Sequence, residues 1–311
     1  MTTIQDTNLL RRRMLVAASA WGFQALAFAE NSTLPASGAV ANKLAGLERR
    51  VGGRLGVAVL DTETGEVVGN RLDERFGMCS TFKLPLAAAI LREVDQGRLR
   101  LDQWVPFTQA DMVPHAPVTG PRLVKGGMTV RDLAEAAQKT SDNVAANLLI
   151  QLIGGPAGMT AILRAMGDTQ TRVDRKEPEM NLVMPGEEHD TTTPRAMAET
   201  VSCIVTGQWL STASTELLTS WMVETETGRK RLRAGFPKGW RSGDKTGTAM
   251  APGMADKYND LAVVWPKGKQ PLVVTAFYET PVAHGGGMRD ADQRVLAQVG
   301  SIATRSTKGS S

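Results

Sequence analysis

A hydroxyl nucleophile and an amine lie three residues apart in the stretch Cys79–Lys83, which reads Cys-Ser-Thr-Phe-Lys. Residues three apart on a helix share a face, so Ser80 and Lys83 can touch. A serine hydroxyl is a poor nucleophile until a base takes its proton, and a lysine amine is such a base when its surroundings suppress its charge. The pair alone is weak evidence, because Ser-x-x-Lys occurs again at Ser242–Lys245 and one of the two matches must be incidental.

Three further clusters could complete a site for acyl transfer. Such chemistry needs a pocket that stabilises an anion, a proton carrier to the leaving group and, for hydrolysis, a positioned water. Each cluster also has a plain structural interpretation: an N-cap, an edge-strand lysine and a disordered loop, respectively. The clusters are Ser141-Asp142-Asn143 before a helical pattern, Lys245-Thr246-Gly247-Thr248 on a strand pattern, and Glu177-Pro178-Glu179-Met180-Asn181 within the irregular stretch 174–194.

The nucleophile stretch leads into a helix that is apolar nearly all round. The run Leu84–Leu91 has hydrophobic residues on every face, which is typical of a helix buried in a core. Pro85 is tolerated only near a helix start, so we expect the first turn at Ser80–Phe82. Ser80 then lies at a helix N-terminus, where free backbone N–H groups are available to a developing anion.

The wider pattern predicts an antiparallel sheet built from both ends of the chain, with an all-helical insertion between them. Strand patterns occur near the two ends, whereas the middle repeats apolar residues at three- or four-residue steps. The expected class is α/β (α+β), with about five strands flanked by N- and C-terminal helices. Helices are predicted at 40–51, 129–139, 143–153, 158–166, 194–206, 212–223 and 290–304, and strands at 55–60, 66–70, 240–250, 260–265 and 272–279.

The N-terminus has the pattern of an export signal. Arg11–Arg13 precede an apolar run from Met14 to about Leu26 that is too short to span a membrane. Ala27-Phe28-Ala29 supplies the small residues needed for cleavage, which would start the mature chain at Glu30. The adjacent arginines also resemble a twin-arginine signal, and an ordinary basic signal fits equally well.

Charge and cysteine content exclude several classes of protein. The 311 residues carry a formal charge of +4, and loss of residues 1–29 would leave +2, which is no nucleic-acid footprint. Three histidines without zinc-ligand spacing argue against a metal site. An exported protein could pair Cys79 with Cys203, but the two lie in separate apolar patterns, so we expect two free, mostly buried thiols.

Together, the clusters resemble the motif set of class A serine β-lactamases. Co-occurrence makes this resemblance specific, and it extends over about residues 40–304. Arg175 and Asp190 also match the pair that closes the ends of the family's Ω loop. The motifs that appear in family order and spacing are Ser80-x-x-Lys83, Ser141-Asp142-Asn143, Glu177-x-x-x-Asn181 and Lys245-Thr246-Gly247.

The resemblance implies catalytic roles for five residues. Ser80 would attack the β-lactam carbonyl, and its backbone N–H with that of Thr248 would form the oxyanion hole. Lys83 would accept or relay the serine proton, and Ser141 would pass a proton to the departing ring nitrogen. Glu177 would activate the water that hydrolyses the acyl-enzyme. Whether Lys83 or Glu177 is the base for acylation is disputed for the family and stays open here.

The resemblance also implies a set of substrate-binding residues and three departures from the family pattern. His115 stands where relatives have an aromatic wall, Met180 replaces a leucine of similar volume, and segment 249–258 is longer than in many relatives. Ala249 stands where some carbapenem-hydrolysing relatives have a disulfide partner for Cys79. The residues implied in binding are Lys245, Thr246 and Arg231 for the substrate carboxylate, Asn143 for its amide side chain, Asn181 for the water, and His115 for the wall.

The implied function is hydrolysis of the β-lactam ring of penicillins and cephalosporins through a serine acyl-enzyme, with no cofactor and no metal. The alternative is a penicillin-binding D-alanyl-D-alanine peptidase, which shares the Ser and Lys motifs but stays acylated. Glu177 and Asn181 favour the hydrolase, and they also argue against a β-lactam sensor domain and a glutaminase-type amidase. We expect a periplasmic monomer that acts on a small-molecule β-lactam and has no nucleic-acid partner and no membrane contact after signal cleavage.

The resemblance also predicts how the chain is divided. Residues 1–29 would be the signal peptide and 306–311 a disordered tail. Residues 38–78 and 232–305 would form the sheet domain. Residues 79–231 would form the helical domain, with the Ω loop at 174–190. The active site is expected between these two domains.

Overall fold

The computed structural model describes residues 36–305. The predicted signal peptide, 1–29, and the predicted tail, 306–311, lie outside the described residues. All described elements belong to one compact unit. The boundaries between a sheet domain and a helical domain therefore stay a prediction.

Five strands form one antiparallel sheet, as the sequence predicts. The described strands are β1 (Arg54–Asp61), β2 (Val67–Asn70), β3 (Phe76–Gly77), β4 (Trp104–Pro106), β5 (Gly127–Thr129), β6 (Thr191–Thr192), β7 (Arg241–Ala249), β8 (Lys257–Trp265) and β9 (Leu272–Glu279). The order in the large sheet is β2-β1-β9-β8-β7, so strands from the two ends of the chain pair directly. Strand β7, which carries the Lys-Thr-Gly motif, lies at one edge.

The described helices surround this sheet. They are α1 (Ala36–Val51), α2 (Lys83–Asp95), α3 (Thr119–Arg122), α4 (Val130–Lys139), α5 (Asn143–Leu152), α6 (Gly155–Ala165), α7 (Pro194–Val205), α8 (Thr212–Glu224), α9 (Leu232–Gly235) and α10 (Asp290–Arg305). No single helix among residues 36–305 has the length and apolar character to cross a bilayer; α5 and α6, bent by 73° at their junction, meet that test only as a pair.

The two faces of the sheet pack into different cores, because side chains alternate along a strand. On β1, Val57 and Val59 pack with α1 and α10, whereas Ala58 and Leu60 pack with the helical block. Helix α2 runs through that block with Leu84–Leu91 fully buried, which confirms the prediction of a helix apolar on every side. This central helix fixes the position of the nucleophile stretch that precedes it.

Four details differ from the sequence-based predictions. Residues Cys79–Phe82 form a 3₁₀ turn and α2 starts at Lys83, so Ser80 lies in the turn leading into the helix. Helix α6 starts at Gly155 and not at residue 158, because Pro156 is tolerated in its first turn. Strand β8 starts at Lys257, three residues before the predicted position. The pairs β3–β6 and β4–β5 were not predicted, since two or three residues are too few to show alternation.

Candidate active site

The turn that carries Ser80 is held in a strained conformation. Cys79 has a φ of 50°, a region that non-glycine residues rarely adopt. The side-chain amide of Asn259 on β8 donates to the carbonyl oxygens of Gly77, at 2.8 Å, and Met78, at 3.0 Å. These bonds from the sheet fix the backbone just before the nucleophile, and such strain persists only where surrounding structure determines it.

Lys83 lies one turn beyond Ser80 and contacts it directly. Its Nζ donates to Ser80 Oγ at 3.0 Å, to the carbonyl oxygen of Ser141 at 2.8 Å and to Asn143 Oδ1. The side chain is fully buried. Burial lowers the pKa of Lys83, while attraction to Glu177 opposes that shift. The i, i+3 pairing expected from the sequence is therefore present.

Glu177 approaches the same hydroxyl from the opposite side. Ser80 Oγ donates to Glu177 Oε1 at 2.9 Å, and Lys83 Nζ lies 2.9 Å from that oxygen. Asn181 Nδ2 donates to the other carboxylate oxygen. Burial alone raises the pKa of Glu177, but attraction to Lys83 and hydrogen bonds from Lys83, Ser80 and Asn181 outweigh it, so the pKa lies below its ordinary value. The glutamate is thus an ionised base in contact with the nucleophile.

The segment that carries Glu177 is closed at its ends by an ion pair. Arg175 Nε contacts Asp190 Oδ2, and the backbone N–H groups of Asp174 and Arg175 donate to Asp190 Oδ1 at 2.8 and 3.0 Å. Asp190 is fully buried and has a φ of 56°. The predicted Arg175–Asp190 contact is confirmed, and it gives the Ω loop a fixed base.

The Ser141-Asp142-Asn143 cluster divides its work between structure and site. Asp142 caps helix α5, accepting from the N–H of Ala145 at 2.9 Å. Ser141 has a φ of 62°, and its Oγ accepts from Lys245 Nζ at 3.0 Å. Asn143 Nδ2 donates to the carbonyl oxygen of Pro114 at 2.9 Å while its Oδ1 accepts from Lys83. The N-cap interpretation holds for Asp142, and the two flanking residues face the cavity.

Strand β7 brings a second buried lysine to Ser141. Lys245 is fully buried, and burial holds its pKa well below the ordinary value, with repulsion from Lys83 adding to the shift. At Gly247 the strand lies so close to the nucleophile turn that an added Cβ would come 2.8 Å from the carbonyl oxygen of Met78. Only glycine permits this approach. The backbone of Thr248 therefore follows directly beside the turn of Ser80.

The second Ser-x-x-Lys match has no such geometry. Residues three apart on a strand point to opposite faces, and Ser242 and Lys245 both lie on β7. Ser242 lines a separate surface pocket with Lys238 and Trp240. It is incidental, as the sequence analysis concludes.

Arg231 lies beneath the outer end of β7, immediately before α9. It is 1% exposed, and its Nη1 donates to the carbonyl oxygens of Gly247, at 2.8 Å, and Asn259, at 2.7 Å. Its Nη2 donates to Thr248 Oγ1. Burial lowers the pKa of Arg231, opposed by attraction to Asp260 and Asp244. A fixed cation thus stands next to the threonine that ends the Lys-Thr-Gly-Thr motif.

All eleven predicted site residues meet at one cavity of about 380 Å³. Lys83, Glu177 and Lys245 are buried behind its wall and reach it through Ser80 and Ser141. His115, exposed and with a φ of 66°, forms part of the rim, and its Nε2 lies 3.1 Å from the carbonyl oxygen of Thr140. The lining residues are Ser80, His115, Ser141, Asn143, Asn181, Thr227, Arg231, Thr246, Gly247, Thr248 and Met288.

With this geometry in place, comparison with known proteins is decisive. Residues 39–307 match the model of the β-lactamase enzyme family. The chain belongs to that family. It is 46% identical over 310 residues to β-lactamase L2 of Stenotrophomonas maltophilia, covering 96% of this chain and 99% of the relative. The predicted membership of the class A serine β-lactamases is confirmed.

Other class A relatives agree. The carbapenem-hydrolyzing β-lactamase KPC of Klebsiella oxytoca is 40% identical over 277 residues, covering 88% of this chain and 90% of the relative. An ancestral class A β-lactamase of known structure, named GNCA, is 51% identical, with a TM-score of 0.80 over 86% of this chain and 99% of that chain. The predicted fold class is therefore confirmed as well.

The thiols of this β-lactamase family member are free, as predicted. Cys79 is fully buried and packs with Ala249 and Met254, whereas Cys203 is partly exposed. Burial raises the pKa of the Cys79 thiol to about 12. Cys79 is thus a packing residue beside the nucleophile. Within residues 36–305, no three His, Cys, Asp or Glu side chains group in the way that would hold a metal ion.

Sequence reasoning missed three residues around the site. Asn147 hydrogen-bonds both backbone groups of Glu177, and its position four residues after Asn143 on one helix face was a usable signal. Thr227 accepts a hydrogen bond from Thr246 Oγ1 at 2.8 Å, and Met288 reaches Arg231 from the loop before α10. No sequence pattern marks these last two, because their contacts cross the chain at long range.

Proposed function

We propose that this protein hydrolyses the β-lactam ring of penicillins and cephalosporins through an acyl-enzyme on Ser80. One observation supports this above the others: Ser80 Oγ lies 3.0 Å from Lys83 Nζ and 2.9 Å from Glu177 Oε1. A serine in contact with two bases is activated as a nucleophile. Membership of the β-lactamase enzyme family gives the class of substrate.

Acylation begins with attack of Ser80 Oγ on the ring carbonyl. Its proton passes to Glu177 or to Lys83, since both hold the hydroxyl at hydrogen-bond distance, and each keeps its place as candidate base. Ser141 Oγ lies 3.4 Å from Lys83 Nζ and 3.0 Å from Lys245 Nζ. Ser141 therefore bridges the proton acceptor and the cavity, and it delivers a proton to the departing ring nitrogen.

The oxyanion that forms on the carbonyl is stabilised by backbone N–H groups. Those of Ser80 and Thr248 fill this role, because the close packing at Gly247 brings β7 alongside the nucleophile turn. Removal of one donor from such a site typically raises the barrier by about 3 kcal/mol.

The opposite side of the cavity holds the substrate. Lys245, Thr246, Thr248 and Arg231 bind its carboxylate, and the buried cations are suited to this because a low-dielectric surrounding strengthens their attraction. Asn143 binds the amide side chain. His115 stands on the rim as the wall beside the ring system.

Hydrolysis of the acyl-enzyme needs a water that Glu177 activates. Asn181 and Glu177 are hydrogen-bonded to each other, and Asn181 also lines the cavity, so the two together define a place for that water. A penicillin-binding D-alanyl-D-alanine peptidase has no use for such a pair because it stays acylated. The glutamate and its amide partner therefore favour the hydrolase over that alternative.

Glu177→Ala separates the two steps. The variant, mixed with a good penicillin, should accumulate a covalent adduct on Ser80, seen by mass spectrometry, while steady turnover is lost. Glu179→Ala is the matched control, since Glu179 lies two residues away in the same turn and is exposed. Turnover of Glu177→Ala at the wild-type rate would refute the assignment. A persistent adduct on the wild type would instead indicate the peptidase alternative.

The substrate range calls for a direct measurement. Steady-state hydrolysis of a penicillin, an oxyimino-cephalosporin and a carbapenem, with and without clavulanate, should show turnover of the first two classes. The carbapenem is included because a relative 40% identical carries that activity in its name. Failure to hydrolyse any penicillin would overturn the proposal.

Export to the periplasm is part of the same proposal. The basic and apolar pattern before Ala29 supports cleavage there. N-terminal sequencing of the periplasmic protein should start near Glu30, and mature protein that still contains Arg11–Arg13 would contradict it. We also propose that the mature protein is a monomer that binds neither nucleic acid nor membrane; size-exclusion chromatography with light scattering should give the mass of one chain.

A further inference from the structure

The loop between β9 and α10 brings a methionine to the carboxylate end of the cavity. Three consecutive glycines, Gly285–Gly287, precede Met288. Arg231 Nη2 donates to Met288 Sδ at 3.5 Å, and Thr248 Oγ1 lies 4.0 Å from the same sulfur. Both partners belong to the group proposed above to bind the substrate carboxylate. The thioether therefore occupies the edge of that subsite.

Met288 combines exposure with this position. It is 63% exposed, although Arg231 beneath it is 1% exposed. Among the methionines of residues 36–305, Met184, at 44%, is the other one that is largely exposed, and it lines a groove on a different part of the surface. Met288 alone of these methionines lines the catalytic cavity.

We propose that Met288 is a site of reversible oxidation that controls binding of the substrate carboxylate at Arg231. The oxidant is hydrogen peroxide. The thioether sulfur attacks one peroxide oxygen, the O–O bond breaks, a sulfur–oxygen bond forms and the second oxygen leaves as water, so sulfur is oxidised and peroxide is reduced. The effect on substrate rests on the function proposed above.

The product changes the chemistry of the subsite. A thioether sulfur is a weak acceptor, whereas a sulfoxide oxygen is a strong one. The guanidinium of Arg231 already donates to this side chain, and a bond from a charged donor to the new oxygen is stronger than the one it replaces. The substrate carboxylate must then displace the sulfoxide. KM rises by about tenfold, the effect of one charge-assisted hydrogen bond.

The turnover number should change much less than KM. Ser80, Lys83 and Glu177 contact one another, and their hydrogen bonds do not involve Met288. Loss of binding without loss of the chemical step is seen as a change in KM at constant kcat.

Three proteins test the proposal: wild type, Met288→Leu and the matched control Met184→Leu. Each is treated with hydrogen peroxide, digested for mass spectrometry of its methionine peptides, and assayed with a penicillin, with KM and kcat compared with its own untreated sample. Wild type and Met184→Leu should gain one oxygen at Met288, and KM should rise about tenfold. Met288→Leu should show no rise. Methionine sulfoxide reductases with a thiol reductant should restore the original KM.

Three results would overturn it: complete oxidation of Met288 with unchanged KM, an equal rise of KM in Met288→Leu, or oxidation of Met184 that leaves Met288 unmodified. Failure of the proposed function gives a different result, since untreated wild type would then hydrolyse no penicillin. The spectra of the same samples would still decide whether Met288 is the modified residue.

Discussion

Asn147 and Glu177 exchange two hydrogen bonds between helix α5 and the Ω loop. Asn147 Nδ2 donates to the carbonyl oxygen of Glu177 at 2.8 Å, and the backbone N–H of Glu177 donates to Asn147 Oδ1 at 2.9 Å. One amide side chain thus satisfies both backbone groups of the residue proposed to activate water. Helix α5 also starts at Asn143, so a single element sets the distance between the two sides of the cavity.

Asn147→Ala should therefore impair deacylation more than acylation. Both backbone groups of Glu177 lose their partner, and each such loss costs about 1 to 3 kcal/mol when the group is buried. We expect the free energy of unfolding to fall by about 2 kcal/mol and kcat to fall at least about tenfold. Denaturant unfolding and pre-steady-state kinetics measure the two effects. Gln151→Ala, an exposed position one turn later, is the control, and equal kinetics in both variants would contradict the prediction.

Asn181→Ala should move the acid limb of kcat to higher pH. The hydrogen bond from Asn181 is one of the interactions that hold the pKa of Glu177 below its ordinary value. Its loss raises that pKa, so a larger fraction of Glu177 is protonated, and inactive as a base, at mildly acid pH. A profile of kcat against pH checks this, with Glu179→Gln as control. An acid limb that stays in place, or moves to lower pH, would contradict it.

The parts of the fold that repeat over many residues could be predicted from the sequence. Helix α2 was recognised because Leu84–Leu91 is apolar on all sides, and β9 because its residues 272–279 form one unbroken apolar run bounded by turn residues. Short pairs such as β3 with β6 depend on contacts between residues about 115 apart in the chain, and no local pattern encodes them.

The site could be predicted as a set of residues but not as a geometry. The motifs name Ser80, Lys83 and Glu177, yet the turn that presents Ser80 depends on Asn259, whose amide binds two carbonyl oxygens about 180 residues earlier in the chain. Likewise, no sequence pattern shows that Met288 reaches Arg231, since a glycine-rich loop is compatible with many paths.

Lys257→Met should loosen the Ω loop at little cost to global stability. Lys257 is 3% exposed, its Nζ donates to the carbonyl oxygen of Val183 at 2.8 Å, and it forms no salt bridge with a carboxylate of residues 36–305. Loss of that hydrogen bond and relief of a buried charge oppose each other, so the free energy of unfolding should change by less than about 1 kcal/mol.

The loop itself should respond strongly to that substitution. Backbone amides at 182–186 should exchange with deuterium faster in Lys257→Met than in wild type, as measured by mass spectrometry. Lys267→Met, at an exposed turn beyond the same strand, is the control. Unchanged exchange at 182–186 would show that Lys257 does not restrain the loop.

Asp244→Asn should flatten the dependence of stability on pH. Burial raises the pKa of Asp244 to about 6, even though Arg233 Nη1, 2.9 Å from its Oδ1, opposes the shift. A carboxyl whose pKa is higher in the folded state stabilises the fold fully below its unfolded pKa, and that contribution is lost as pH rises through about 6. Between pH 5 and 7.5 the wild type should lose about 1.4 kcal/mol more than the variant. Denaturant unfolding at both pH values measures this, and parallel curves would contradict it.

Cys79 should be inert in the native protein although it adjoins the nucleophile. Its side chain is fully buried, and burial raises its pKa to about 12, so at pH 8 only about one molecule in ten thousand carries the reactive thiolate. Native wild type should bind one equivalent of a thiol reagent such as dithionitrobenzoate, at the partly exposed Cys203, and two after unfolding. Cys203→Ala should bind none until it unfolds. Rapid labelling of native Cys203→Ala would mean that the turn before Ser80 opens to solvent, and a β-lactam present in the same assay would then be expected to slow the reaction by occupying the cavity above it.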